Sequence, residues 1–237
     1  MKTIVDPVGY AKSAANAYLS LYGADLVSVI LYGSAAGSHY DPKNSDINLL
    51  LILSSMSPGL IAKSAALQTK YARLRFDRPL FLDTAYIARS CDSYPMEFLD
   101  MKQSYAVLYG TDVLKDIAPQ REHLRLQVER ELRGKWLHLL HEYASSCGDN
   151  RRLQNLIRQS FKAFLPVFRA LLHLKGAAVP LQKTDLSREV ETAYSLPAHP
   201  LQDIAGVCSG KQVSGLDQRF LAYAGAVKKI IDEIDKN

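Results

Sequence analysis

The spacing of hydrophobic positions changes twice within the first part of the chain. From Asp6 to Tyr22 apolar residues recur at helical spacing and stop at Gly23, which predicts an amphipathic helix. Leu26 to Tyr32 is a run of mainly aliphatic and β-branched residues that ends at Gly33. This second pattern predicts a buried strand followed by a tight turn.

The alternation between the two patterns continues to about residue 87. A polar loop over residues 38–45 precedes a second predicted strand over residues 46–53. Residues 60–75 return to helical spacing, and residues 78–87 are predicted as a third strand. Because helices and strands alternate, we expect a mixed α/β core.

Strand patterns nearly vanish from Pro119 onward. Helical spacing predicts long helices over residues 121–143 and 151–174, the second broken or kinked at Pro166, because proline lacks the N–H and crowds the preceding turn. Shorter helices are expected over residues 185–194, 200–208 and 215–235.

The chain is therefore expected to be an α+β protein of two domains. An α/β domain would occupy residues 1–118 and a helical bundle residues 119–237. The first half balances 11 basic against 11 acidic residues, whereas the second holds 18 against 13. Residues 150–184 carry seven basic residues and no acid, a segment typical of a face turned to water or to an anionic partner.

Composition narrows the class of protein. Hydrophobic residues make up 48% and charged residues 22%, which excludes a disordered, collagen-like or disulfide-scaffold chain. The longest apolar run, Leu49–Leu53, is far shorter than the ~20 residues that span a bilayer, and Asp6-Pro7 stands where a signal peptide needs an apolar core. Cys91, Cys147 and Cys208 are widely spaced and odd in number, so we expect free thiols in a cytoplasmic protein with no membrane association.

Two short segments carry the candidate chemistry. Gly33-Ser34 follows the first predicted strand, and Asp46-Ile47-Asn48 opens the second. Glycine lets a phosphate approach the backbone, the amides after the strand would open a helix N-terminus, and the serine hydroxyl can donate to a phosphate oxygen. Asp46 and Asn48 lie two apart on a strand and so offer two oxygen ligands on one face to Mg²⁺. Taken singly, the segments also fit a plain turn and a strand-edge acid.

Together the segments resemble the polymerase-beta-like nucleotidyltransferase superfamily, whose signature is a Gly-Ser after a strand and then an Asp-x-Asp/Glu pair. The later segment Leu108-Tyr-Gly-Thr-Asp112 looks like the one that joins the two domains in bacterial members with a helical C-terminal domain. The resemblance implies a nucleotidyltransferase-like mixed sheet. It also implies Mg²⁺-dependent transfer of a nucleoside monophosphate from a triphosphate, most simply ATP, to an acceptor hydroxyl.

The same resemblance implies a role for individual residues. Gly33 and Ser34 would hold the triphosphate, while Asp46, a catalytic residue, and Asn48 would hold Mg²⁺. The family's third carboxylate should lie on the third strand, where only Asp83 is placed to supply it. Asp83 would then act as general base toward the acceptor hydroxyl.

One departure from the family pattern opens a second interpretation. Asn48 stands where the second metal-binding acid is expected, and it removes one negative charge from a site that must gather divalent cations. An active transferase and a catalytically impaired nucleotide-binding or regulatory protein, similar to an antitoxin on this fold, are both consistent with the sequence.

The positive charge of the second half of the chain indicates which partners the protein could bind. Its positive charge favours a neutral or anionic small molecule as acceptor over a strongly cationic one. At 100° per residue Arg151, Arg158, Lys162 and Arg169 fall within ~40° of one another on one helix, either as a solvated face or as a contact for nucleic acid. The sequence leaves the oligomeric state open, a homodimer included.

Overall fold

The structure is a computed structural model that describes residues 3–37, 40–43, 45–146, 148–210 and 214–236. Two compact units, Met1–Gln120 and Arg121–Asn237, divide the chain. The first unit is mixed α/β and the second is helical, which confirms the predicted α+β class. The predicted strand over residues 26–32 and the predicted helix over residues 200–208 are observed with those bounds.

A four-stranded sheet with the order β3-β2-β1-β4 forms the centre of the first unit. The central strand β1 pairs antiparallel with both β2 and β4, whereas β2 and β3 run parallel. The strands are β1 Leu26–Tyr32, β2 Asn48–Leu53, β3 Leu80–Leu82 and β4 Tyr105–Gly110. The helices of this unit are α1 Pro7–Tyr22, α2 Pro58–Ala62, α3 Ala65–Ala72, α4 Thr84–Ser90 and α5 Pro95–Gln103.

Each face of the sheet is covered by its own hydrophobic core. Successive side chains of a strand point to opposite faces, so β1 sends Val29 and Leu31 to one core and Ile30 to the other. The first, which we call the α1-side core, includes Ala14 and Tyr18 of α1. The second, the α5-side core, includes Phe98 of α5.

The predicted third strand over residues 78–87 is wrong in length. Only Leu80–Leu82 pairs with β2, and the chain then turns into α4. Asp83 causes the turn, because its carboxylate accepts a hydrogen bond from the backbone N–H of Tyr86 at 2.6 Å and so caps the new helix. The predicted helix over residues 60–75 is likewise two short helices, α2 and α3.

The described part of the second unit contains five helices: α6 Arg121–Ser146, α7 Asn150–Lys175, α8 Lys183–Ala193, α9 Pro200–Cys208 and α10 Leu216–Ile234. Helix α7 continues through Pro166, so a break there is wrong, whereas the alternative of a kink stays a prediction. Its neighbours Leu165 and Val167 are buried, and this packing offsets the lost backbone hydrogen bond. An aromatic cluster fills the core of the unit: Phe161, Phe164, Phe168, Phe220 and Tyr223.

Two of the earlier expectations concern cysteines and membranes. Cys91 and Cys208 are free thiols, whereas Cys147 lies outside the described residues. None of the helices in the described ranges combines the length and the apolar character that a bilayer crossing requires.

Candidate functional site

Gly33 and Asn48 meet at one edge of the sheet. The register of the antiparallel β1–β2 pair places Tyr32, the last residue of β1, opposite Asn48, the first residue of β2. Gly33 comes directly after Tyr32 and therefore lies beside the start of β2. A Cβ atom on Gly33 would lie 3.2 Å from the side-chain Nδ2 of Asn48, and Gly33 has a φ of +76°, which favours glycine. The structure therefore brings two of the predicted site residues together.

The helix predicted to begin after β1 is only a short 3-10 turn. Gly33–Ala36 is a single 3-10 turn, and the Gly33 N–H already donates to the backbone carbonyl of Ser104 at 2.9 Å. That amide is not available to an anion. Ser34 is half-buried in the turn, and its hydroxyl makes no hydrogen bond with any residue that the structure describes. The Ser34 hydroxyl is therefore one donor that this turn can offer to a phosphate.

Asp46 lies just before Asn48, beside a buried cation. Its side chain is 56% exposed, and its Oδ1 is 3.6 Å from Nη2 of Arg75. The side chain of Arg75 is only 9% exposed, and its Nη1 also donates to the carbonyl of Pro42 at 3.3 Å. Because one oxygen of Asp46 faces Arg75 and most of its surface faces solvent, the carboxylate is held near Asn48 and is still open to a ligand.

Asp83, the predicted general base, is not at this edge. Leu82 pairs with Ile52, which lies four residues along β2 from Asn48. At ~3.3 Å per residue, Asp83 is about 16 Å further along the sheet than the level of Asn48. Both of its carboxylate oxygens also accept backbone hydrogen bonds, from Tyr86 at 2.6 Å and from Met56 at 3.3 Å. The structure therefore does not bring Asp83 together with Gly33 and Asn48, and it places the Asp83 carboxylate as a cap of α4.

Asp77 is the carboxylate that the sequence analysis missed. Its backbone N–H donates to the carbonyl of Ile47 at 3.1 Å, which fixes Asp77 beside the start of β2. Ile47 and Phe76 both belong to the α1-side core, so the alternation of side chains places Asn48 and Asp77 on the opposite face. The sequence signal was the acid in Asp77-Arg78-Pro79, which reads as a turn before a strand.

Electrostatics around Tyr32 support the position of Asp77. Burial raises the pKa of the Tyr32 phenol, and the negative charges of Asp77 and Asp100 raise it further. Tyr32 stands opposite Asn48 on the same face of the sheet as the α5-side core. The negative charges of Asp77 and Asp100 therefore reach the phenol of Tyr32, the residue that directly precedes Gly33.

The donor set decides what kind of metal this edge suits. No group of three His, Cys, Asp or Glu side chains with metal-binding geometry occurs among the described residues. Asp46 and Asn48 offer one carboxylate and one neutral amide oxygen, and Arg75 adds a positive charge beside them. Mg²⁺ is commonly held by one or two carboxylates together with the phosphates of a substrate, so these residues suit an ion that arrives on a nucleotide.

Comparison with known proteins places the fold. It is similar to the crystal structure of a spectinomycin adenyltransferase from Enterococcus faecialis with ATP and spectinomycin, with a TM-score of 0.56 and 13% sequence identity. The match covers 92% of this chain and 99% of that one, so the chain shares the fold of that adenyltransferase over this length. No protein-family model and no curated protein matches the sequence.

Proposed function

We propose that this protein is a nucleotidyltransferase that transfers a nucleoside monophosphate from ATP to an acceptor hydroxyl. The observation that carries the proposal is the packing of Gly33 against the Asn48 side chain, with the exposed carboxylate of Asp46 alongside. The fold shared with an adenyltransferase crystallised with ATP supports it.

Each side chain has a stated task in this proposal. The Ser34 hydroxyl donates to a phosphate oxygen of the nucleotide. Asp46 and the Asn48 amide oxygen contact the Mg²⁺ that accompanies the triphosphate, and the ion neutralises charge on the phosphates. Asp77, on the same face as Asn48, takes the proton of the acceptor hydroxyl as general base, in the place first assigned to Asp83.

For the acceptor, we propose a neutral or anionic small molecule, because the whole positive surplus of the chain lies in its second half. A panel of hydroxyl compounds with labelled ATP checks this, and spectinomycin belongs in it because of the structural neighbour. Labelling of a polycationic compound in preference to all others would contradict the assignment of the acceptor but not the transferase.

Isothermal titration with Mg²⁺ and ATP tests the nucleotide site. We expect Asp46→Asn to weaken the binding of Mg·ATP by about tenfold or more, which is ~1.4 kcal/mol. Because Asp46 acts through the metal, the same variant should bind ATP in EDTA as well as or better than the wild type does. Asp83→Asn is the matched control, since it makes the same change of charge just beyond β3, at the opposite end of the sheet. Equal binding of Mg·ATP by Asp46→Asn and wild type would contradict the site.

Asn48 favours a second candidate, a protein that binds nucleotide without transferring it. The amide supplies an oxygen but no charge, so the metal is held by one carboxylate fewer than a two-acid pair provides. In that case the wild type shows no transfer to any acceptor, and Asn48→Asp tightens the binding of Mg·ATP. Transfer by the wild type would eliminate this candidate.

A further inference from the structure

The first half of α7 carries several exposed cations. Arg151, Arg158 and Lys162 are exposed, and none of them forms an ion pair within the described ranges. Arg152 differs from them, because its Nε lies 3.4 Å from the Oδ2 of Asp149. With Arg151, Arg158 and Lys162 spaced by seven and four residues, the three cations lie on one side of the helix over about 16 Å.

The structure shortens the stripe that the sequence predicts and adds a cation from another helix. Arg169 is only partly exposed and stands between the buried Phe168 and Ala170, so it is not part of the exposed face. Lys183, at the start of α8, is exposed. Helix α8 packs against α7. Burial raises the pKa of the Cys208 thiol, and the positive charges of Lys183 and Arg158 lower it.

We propose that Arg151, Arg158, Lys162 and Lys183, which we call the basic face, bind the phosphate backbone of double-stranded nucleic acid without regard to base sequence. Duplex DNA carries one negative charge per ~1.7 Å of its axis when both strands are counted, so a length of about 16 Å holds about nine phosphates, more than enough to meet four cations. The proposal does not rest on the nucleotide site proposed for the first unit.

The chemistry of the face favours a duplex over other anionic partners. All three phenylalanines of α7 are buried, so the helix offers no aromatic platform for the stacking of unpaired bases. In the described part of the second unit, the large hydrophobic side chains that are exposed lie on α6 and α10. They are Leu126, Leu137, Leu140 and Leu221. A membrane-surface helix needs such side chains on its own apolar edge, so the basic face does not suit insertion into lipid.

Fluorescence anisotropy of the full chain with a labelled duplex of about 20 base pairs tests the proposal. Four phosphate contacts predict that log K falls against log salt concentration with a slope of about −3 to −4 between ~50 and ~200 mM. We expect Arg158→Glu to lower the affinity at least about fivefold and to reduce the slope by about 1, while Arg158→Lys retains both. Lys162→Glu should repeat the effect, which guards against misfolding of a single variant.

The matched control is Lys236→Glu, which makes the same change of charge at an exposed residue just beyond α10. It should leave duplex binding nearly unchanged. Equal losses in Arg158→Glu and Lys236→Glu would overturn the proposal, because binding would then follow net charge alone. A salt-independent affinity, the absence of binding to the duplex, tighter binding of a single strand of equal length, or a preference for vesicles of anionic lipid would overturn it as well.

Discussion

Asp77→Asn is expected to slow Mg²⁺-dependent pyrophosphate release from ATP by about 100-fold or more, measured with the best acceptor or with water. The asparagine keeps the shape of the side chain and can still accept the hydrogen bond from the Arg78 N–H, which is 2.7 Å long in the wild type. It cannot take a proton from a hydroxyl. The loss should appear in the rate, with little change in the binding of Mg·ATP.

Asp83→Asn distinguishes this assignment from the one that the sequence analysis favours. Asparagine caps helices about as well as aspartate, so the variant should fold normally and should keep the wild-type rate within about threefold. If Asp83→Asn lost the activity and Asp77→Asn kept it, the assignment of the general base to Asp77 would be wrong. The β2–β3 register that supports this assignment would then be wrong as well.

Gly110→Ala is expected to lower the free energy of unfolding by more than about 3 kcal/mol. Gly110 ends β4 with a φ of +76°, and an added Cβ would lie 1.9 Å from the backbone carbonyl oxygen of Val27. The contact is with backbone of the neighbouring central strand, so relief requires the two strands to separate. Urea unfolding followed by circular dichroism measures the change.

Gly59→Ala in α2 is the control from the same unit. A Cβ at Gly59 meets no atom within 4 Å, and its φ lies in the ordinary range. We expect its free energy of unfolding to stay within about 1 kcal/mol of the wild type, because alanine is the better helix former. A loss below about 1 kcal/mol for Gly110→Ala would mean that β4 does not pack against β1 as observed.

Local patterns predicted much of the fold. The run from Leu26 to Tyr32 is buried almost throughout and ends at a glycine, so composition and termination both indicated a strand. The strand β4 was missed because its sequence resembles a linking segment, and its pairing with β1 is a tertiary contact that no local pattern carries. The third strand was extended too far because the capping role of Asp83 competes with its apolar neighbours.

Some of the candidate site could likewise be predicted from the sequence, and the rest depended on tertiary contacts. Gly33 and Asn48 could be paired from the sequence because consecutive strands that pair antiparallel bring the end of the first beside the start of the second. The choice between Asp77 and Asp83 depends on the register of the parallel pair β2–β3, which sequence spacing does not fix. The occupation of the Gly33 amide by Ser104 also needed the structure, because those residues lie far apart in the chain.

A crystal structure of the protein with Mn²⁺ and a non-hydrolysable ATP analogue tests the central claim most directly. The account predicts an anomalous manganese peak in contact with Asp46 and Asn48, and triphosphate density within hydrogen-bond distance of the Ser34 hydroxyl. Nucleotide bound elsewhere on the chain, with the edge of the sheet at Gly33 empty, would contradict it.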